Sequence, residues 1–152
     1  MSGVDKAAKQ TSASRIIHAQ PGALFDVLVD PTRHAEFDGS DTVEAARGKP
    51  ARLELGSRFG MSMTLKPIPY MISSTVVEFV ENERIAWHHL GRHRWRYELE
   101  SVEGGTLVTE TFDWSTSVVP FVIERAGYPE RHLGNIERTL ANLARLVESP
   151  TP

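Results

Sequence analysis

PERHLGNIERTLANLARLV, residues 129–147, carries Leu133, Ile136, Leu140, Leu143 and Val147 at alternating spacings of three and four. That spacing is one apolar stripe of an α-helix, and Glu130, Arg131, Glu137, Arg138, Asn142 and Arg145 occupy the opposite face. Such a stripe needs an apolar surface to cover. From about residue 43 to 116 the chain supplies one in the strands TVEAA, RFGMSMTLK, ISSTVVEFVE, RIAWHHL, HRWRYELES and TLVTETFDWS. One long amphipathic helix after a run of antiparallel strands lays its stripe on the inner face of the sheet. Upstream, SRIIHA (14–19) reads as a strand, Pro21 opens the helix GALFDVLVD, and Pro31 begins a second helix, TRHAEFD, that stops at Gly39. The class is α+β in the order β-α-α-β6-α, with seven strands. Turn signals separate them: KPIPY at 66–70, EN at 81–82 and EGG at 103–105.

The bulk properties agree with one domain. At 152 residues, 40% hydrophobic and 24% charged, the chain builds a single core over residues 13–149, behind a loose polar tail at 1–12. It has no cysteine, which excludes disulfides, thiolate metal sites and cysteine nucleophiles and suits a reducing cytoplasm. Its net charge of −3 has the wrong sign for phosphate-backbone binding, so nucleic acid is not an expected partner. The apolar run VVPFVI (118–123) contains a proline and falls far short of the ~20 residues of a spanning helix, so no integral membrane contact is expected.

The stretch WHHLGRHRWRYELE (87–100) gathers histidines and arginines. Pairing 87 with 95 sets Ile85 opposite Tyr97, Trp87 opposite Trp95 and His89 opposite His93 on one face. Arg84 and Glu98, with His88 and Arg94, then fall on the other. A slip of one residue would set tryptophan against arginine, so the pattern fixes the register. Gly91 is misplaced for a three-residue turn, and a longer loop keeps the same pairing. The arginines read as the wet side of a hairpin. A metal site would need a third ligand beside His89 and His93, and no HExxH or facial triad accompanies them, so no metal and no cofactor are expected.

Alternation sorts the other strands too. Phe59, Met61, Met63 and Leu65 lie inside; with Glu78 outside, Thr75, Val77 and Phe79 should point in; and Val108, Glu110, Phe112 and Trp114 share a face. The inner surface thus combines Phe59, Met61, Met63, Trp87, Trp95, Phe112 and Trp114 with the polar His89, His93, Tyr97 and Glu110. A dry core tolerates such polar groups only when each finds a partner, so a cavity with polar handles accounts for them better than plain packing. Burial should raise the pKa of Glu110 unless His89 or His93 supplies a compensating charge.

Several words of the chain, DPTRHAEFDGS (30–40), FGMSM, VVEFVENERIAW (76–87), WRYELE (95–100), GGTLVTETFDW (104–114) and ERTLANLARLV, resemble the START-like superfamily, and most closely its bacterial polyketide cyclase/dehydrase and lipid-transport branch. The resemblance spans about residues 13–148. It implies the helix-grip fold, in which a seven-stranded antiparallel sheet curls around the long C-terminal helix and leaves a deep apolar cavity between them. It does not fix a reaction, because this fold hosts carriers, cyclases, hydrolases and chaperone-binding modules. HAEFDGSDT lies near the expected cavity mouth. His34 and Asp38 there are candidate catalytic residues with Glu110, although Asp38, Gly39 and Ser40 also read, and more readily, as a helix stop and turn.

Two functions follow from these readings. One is binding of a hydrophobic or aromatic small molecule, lipid- or polyketide-like, by a monomer or homodimer. The other is a cofactor-independent polyketide cyclase or dehydratase in which Glu110 or a histidine moves protons. A third, weaker reading is a chaperone-activator-like interaction module, whose mark would be a large exposed apolar patch.

Overall fold

The terminal stripe folds as a helix over Tyr128–Glu148 and lies across one face of an antiparallel sheet, in a computed structural model that describes residues 2–40, 43–47, 51–65 and 67–148. In chain order the elements are β1 (Gly3–Asp5), β2 (Gln10–Ile17), α1 (Pro21–Leu28), a 3-10 turn (Pro31–Arg33) and α2 (His34–Phe37). Then come β3 (Val43–Arg47), β4 (Arg58–Leu65), β5 (Ile68–Val80), β6 (Arg84–His88), β7 (Arg94–Val102), β8 (Gly105–Asp113), α3 (Pro120–Arg125) and α4 (Tyr128–Glu148). The sheet order is β1-β2-β8-β7-β6-β5-β4-β3. The seven expected strands are β2 to β8, curved around α4 in the helix-grip arrangement. Gly48, Pro50 and Lys66 lie outside the described residues, as does the side chain of Leu65.

The expected register of the central hairpin is the observed one: Ile85 faces Tyr97, Trp87 faces Trp95, and the ladder ends at His88 and Arg94. The loop is therefore residues 89–93, longer than three, with Gly91 and Arg92 both at positive φ. Two inner rows run across the sheet. Phe79, Ile85, Tyr97, Glu110 and Ala13 form one; Val76, Trp87, Trp95, Phe112 and Thr11 form the next. Helix α4 closes over them with Ile136, Leu140, Leu143 and Ala144, all at most 2% exposed, while Leu133 is only partly buried. The outer face is held by ions. Arg96 makes a bidentate contact to Glu78 at 2.7 and 2.8 Å, reaching over the small Ala86 between their strands, and Arg94 joins at 2.7 Å. These bonds hold the Glu78 carboxyl at a pKa of about 2.

Three expectations are corrected, and one short helix is added. The segment expected as a loose tail at 1–12 supplies β1 and the start of β2, which pairs with β8 from Gln10 opposite Asp113. Its inward residues, Thr11 and Ala13, are small because α4 sits directly over them, and Thr11 donates to the Pro129 carbonyl at 2.9 Å. Small residues carry little hydrophobic signal. In β5 the inward residues are Ser74 and Val76 rather than Thr75 and Val77, because a bulge between Val76 and Glu78 shifts the alternation before Phe79 resumes it. β5 also begins at Ile68, within KPIPY. Finally, VVPFVI contributes the short helix α3, opened by Pro120, which buries Ile123 and leaves Val118, Val119, Phe121 and Val122 exposed.

Candidate functional site

Between the sheet and α4 lies a cavity of about 420 Å³. Strand alternation brings Phe59, Met61 and Met63 of β4, Trp87 of β6, Trp95 and Tyr97 of β7, and Glu110 and Phe112 of β8 to its wall, together with His89 and His93 from the hairpin loop. His34 and Asp38 line it as well. Trp114 does not. It continues the same alternation but is fully buried beyond the cavity, with its ring against Phe112 and its indole N–H donated to Glu124 at 2.9 Å.

Sequence reasoning missed the contribution of the helices. His132, Asn135, Ile136 and Thr139 of α4 line the cavity, and so do Phe37, Ile123 and Tyr128. A signal for the first group was present, since His132, Asn135 and Thr139 recur at helical spacing beside the apolar stripe. Ile72 and Ser74 were hidden by the bulge in β5, and Tyr70 by the reading of KPIPY as a turn.

The DGS segment is both a helix stop and part of the cavity wall. The Asp38 amide closes α2 on the His34 carbonyl at 3.0 Å, after which the chain turns extended. Gly39 then presses against α4. Its amide donates to Thr139 Oγ1 at 2.8 Å, its carbonyl accepts from Arg138 Nε at 3.0 Å, and a Cβ there would lie 2.4 Å from the Asn135 carbonyl oxygen. The close approach fixes Asp38 at the cavity, and Ser40 donates to Asp38 Oδ2 from both its amide, at 3.1 Å, and its hydroxyl.

His34 is anchored just as firmly. Its Nε2 donates to the Leu28 carbonyl at 2.9 Å, and its ring stacks on Trp87 with centroids 4.9 Å apart. Burial lowers its pKa to about 4, so the ring is neutral at pH 7 and Nδ1 carries the lone pair. Three more histidines gather at the other end. His89 meets His93 with ring centroids 4.9 Å apart, and His132 packs on Trp95 at 4.8 Å and on Phe112 at 4.6 Å. Burial, with mutual repulsion, holds His89 and His132 at about 4 and lowers His93 as well. Among the described residues no group of three His, Asp or Glu side chains is placed to hold a metal ion.

Tyr97 and Glu110 face each other directly across β7 and β8. Both are almost completely buried. Loss of hydration raises the Glu110 pKa well above the usual carboxylate range, and the nearby Asp38 charge adds to the rise; Tyr97 is raised for the same reasons. The neutral histidines supply no compensating charge. Two buried polar atoms of the wall have no hydrogen-bond partner, Glu110 Oε1 and His93 Nδ1. They sit at separate levels, because Tyr97 and His93 are four residues apart along the hairpin, about 13 Å at ~3.3 Å per strand residue. The aromatic rings of Trp87, Trp95 and Phe112 lie between. Among the described residues no lysine or arginine lines the cavity.

Among solved structures, the fold is similar to an AHSA1-like protein from Aeromonas hydrophila, at 25% identity and a TM-score of 0.64 over 92% of each chain. It is also similar to a polyketide cyclase-like protein, Cgl2372 from Corynebacterium glutamicum, at 21% identity and a TM-score of 0.61 over 91% of each chain. In sequence the chain is 39% identical over 147 residues to the uncharacterized Mycobacterium tuberculosis protein Rv0088, covering 93% of this chain. It spans 65% of the length of that relative. Among the described residues no helix is long and apolar enough to cross a membrane. Residues 18–148 match the family described as Activator of Hsp90 ATPase homolog 1-like protein, and the chain belongs to that family within the START-like superfamily.

Proposed function

We propose that the domain binds an uncharged aromatic or apolar small molecule in the cavity between the sheet and α4. The observation that carries this reading is the pair of unpartnered buried atoms, Glu110 Oε1 and His93 Nδ1, in a wall otherwise made of aromatic rings and methionines. Buried polar groups nearly always have partners, and a bound molecule with a polar group at each end would satisfy both. The absence of a cationic side chain from the described lining favours a neutral ligand over a fatty-acid anion. Trp87 and Trp95 line the cavity, so binding should quench their emission. It should also raise the melting temperature, by the equivalent of about 2.7 kcal/mol at a hundredfold excess over Kd. Titration with neutral aromatic ketones and phenols against decanoate tests this. Saturable quenching by the neutral compounds supports the reading, and an unchanged melting temperature and emission across the set refutes it.

A second reading, a protein-interaction module, is favoured by a different observation. Val118, Val119, Phe121 and Val122 are all more than two-fifths exposed on and just before α3. An apolar patch of this kind marks contact surfaces, and the family description names a chaperone activator.

A further inference from the structure

The apolar residues exposed around α3 have a neighbour in the loop between β6 and β7. The Val118 amide donates to the Gly91 carbonyl at 3.0 Å, and Thr116 Oγ1 donates to the Arg92 carbonyl at 2.7 Å. These bonds bring the loop that carries Leu90, 96% exposed, against the segment that carries Val118, Val119, Phe121 and Val122. Tyr128, also exposed, follows where α4 begins. Of α3 only Ile123 is buried, so the exposed side chains add nothing to the core and are left for an apolar neighbour. Three arginines border the two tips. Arg125 lies over the Phe121 ring with its guanidinium carbon 5.7 Å from the centroid, Arg131 lies over Tyr128 at 5.2 Å, and Arg92 follows Gly91 in the loop. All three are exposed, and among the described residues none makes an ion pair. The acids around them are already engaged. Glu124 accepts from Trp114 Nε1 and pairs with Lys9 at 3.7 Å, Glu130 pairs with Lys6 at 3.6 Å, and Asp113 is buried against Arg96. The chain as a whole carries −3, so this positive border is local.

We propose that the two tips form a peripheral docking surface for an anionic phospholipid bilayer. The apolar side chains enter the acyl boundary and the arginines lie at the level of the lipid phosphates, the combination on which interfacial binding depends. Charge decides against a second copy, which would bring the same unpaired arginines face to face. Prominence decides against a protein groove, because a side chain as exposed as Leu90 needs a matching pocket in a folded partner, whereas a fluid bilayer closes around it. The proposal takes the patch of the second reading as lipid-facing and is independent of what the cavity holds. It also orients the domain. Ile123 of α3, and His89 and His93 of the loop, line the cavity from the inner side of the same two segments, so docking turns that end of the cavity toward the bilayer.

The test is sedimentation of the full chain with phosphatidylcholine vesicles that contain about one-third phosphatidylglycerol, beside vesicles of phosphatidylcholine alone. Binding to the anionic vesicles is expected, and it should weaken between about 0.1 M and about 1 M salt, as the screening length shortens from ~10 to ~3 Å. Arg92→Ser and Arg125→Ser should each lower the partition coefficient about fivefold. Phe121→Ser should lower it about tenfold or more. These side chains are exposed, so urea titration should return the parental stability; should Phe121→Ser be destabilised, Leu90→Ser, at the most exposed position, carries the apolar arm. No sedimentation with anionic vesicles at low salt overturns the proposal. So does binding that Phe121→Ser and Leu90→Ser both leave unchanged, since the tips would then stay out of the bilayer, and so does binding indifferent to lipid charge and to both arginine variants. A dimer that Phe121→Ser dissociates, in a chain that does not bind vesicles, assigns the surface to a second copy and overturns it as well. Each of these outcomes leaves the binding reading of the cavity intact.

Discussion

Gly39→Ala isolates the contact that ties the cavity wall to α4. The glycine is not required for its backbone angles, since its φ is not in the left-handed region; it is required for space. An added Cβ would lie 2.4 Å from Asn135 O, 2.6 Å from Thr139 N and 2.7 Å from Arg138 Cβ. Two of these atoms belong to the backbone of a 21-residue helix and cannot swing aside. Overpacking of this kind costs about 1–3 kcal/mol. If the segment backs away instead, the bonds from Gly39 N to Thr139 and from Arg138 to Gly39 O are strained or lost, at about 1 kcal/mol each. A total of about 3 kcal/mol corresponds to a fall of about 6–12 °C in melting temperature for a domain of this size. Gly22→Ala is the control. It lies in α1, where a Cβ meets only Asn82 Oδ1 at 3.8 Å, so it should be neutral or stabilise by about 0.4–1 kcal/mol. Urea titration of the two variants beside the parent measures both effects. A Gly39→Ala cost under about 0.5 kcal/mol would refute the close-approach argument and with it the account of how Asp38 is positioned.

Two further outcomes follow from burial. Leu140→Ala, at a position 2% exposed beneath the sheet, should cost about 2–5 kcal/mol in the same titration, and under about 1 kcal/mol would mean the stripe is not core. The pH dependence of stability should show two opposed contributions. His34, His89 and His132 have folded values of about 4 against about 6.5 unfolded, so the unfolded chain takes up protons first and stability falls as pH drops from ~6.5 to ~4. Glu110 has a raised folded value, so its contribution is present below its unfolded value of ~4.3 and is lost as pH rises. Glu110→Gln should therefore raise the melting temperature at about pH 8 and not at about pH 4, read by calorimetry; equal shifts at both would place Glu110 in water.

Periodicity by itself determined the α+β class, the seven strands, the hairpin register and the terminal helix. These follow from side-chain patterns of 2 and 3.6 residues that any half-buried strand or helix must show. It also placed Phe59, Met61, Met63, Trp87, Trp95, Tyr97, Glu110 and Phe112 on one surface, because a correct register carries every second residue with it. Only the tertiary structure decided the rest. A bulge in β5 is a single extra residue, and nothing in ISSTVVEFVE marks it, so Ser74 and Val76 changed places with Thr75 and Val77. Thr11 and Ala13 are inside because α4 lies on them, and small residues under a helix look like a polar tail until the helix is in place. Trp114 shares the alternation of the cavity residues but sits beyond the cavity's end, a matter of where α3 and Glu124 close the sheet rather than of which face it points to. The approach of Gly39 to α4, and with it the meeting of Asp38 and Glu110 around one space, joins residues about seventy to a hundred positions apart. Local pattern has no reach over such separations, because the contact exists only once the chain has closed the loop between them.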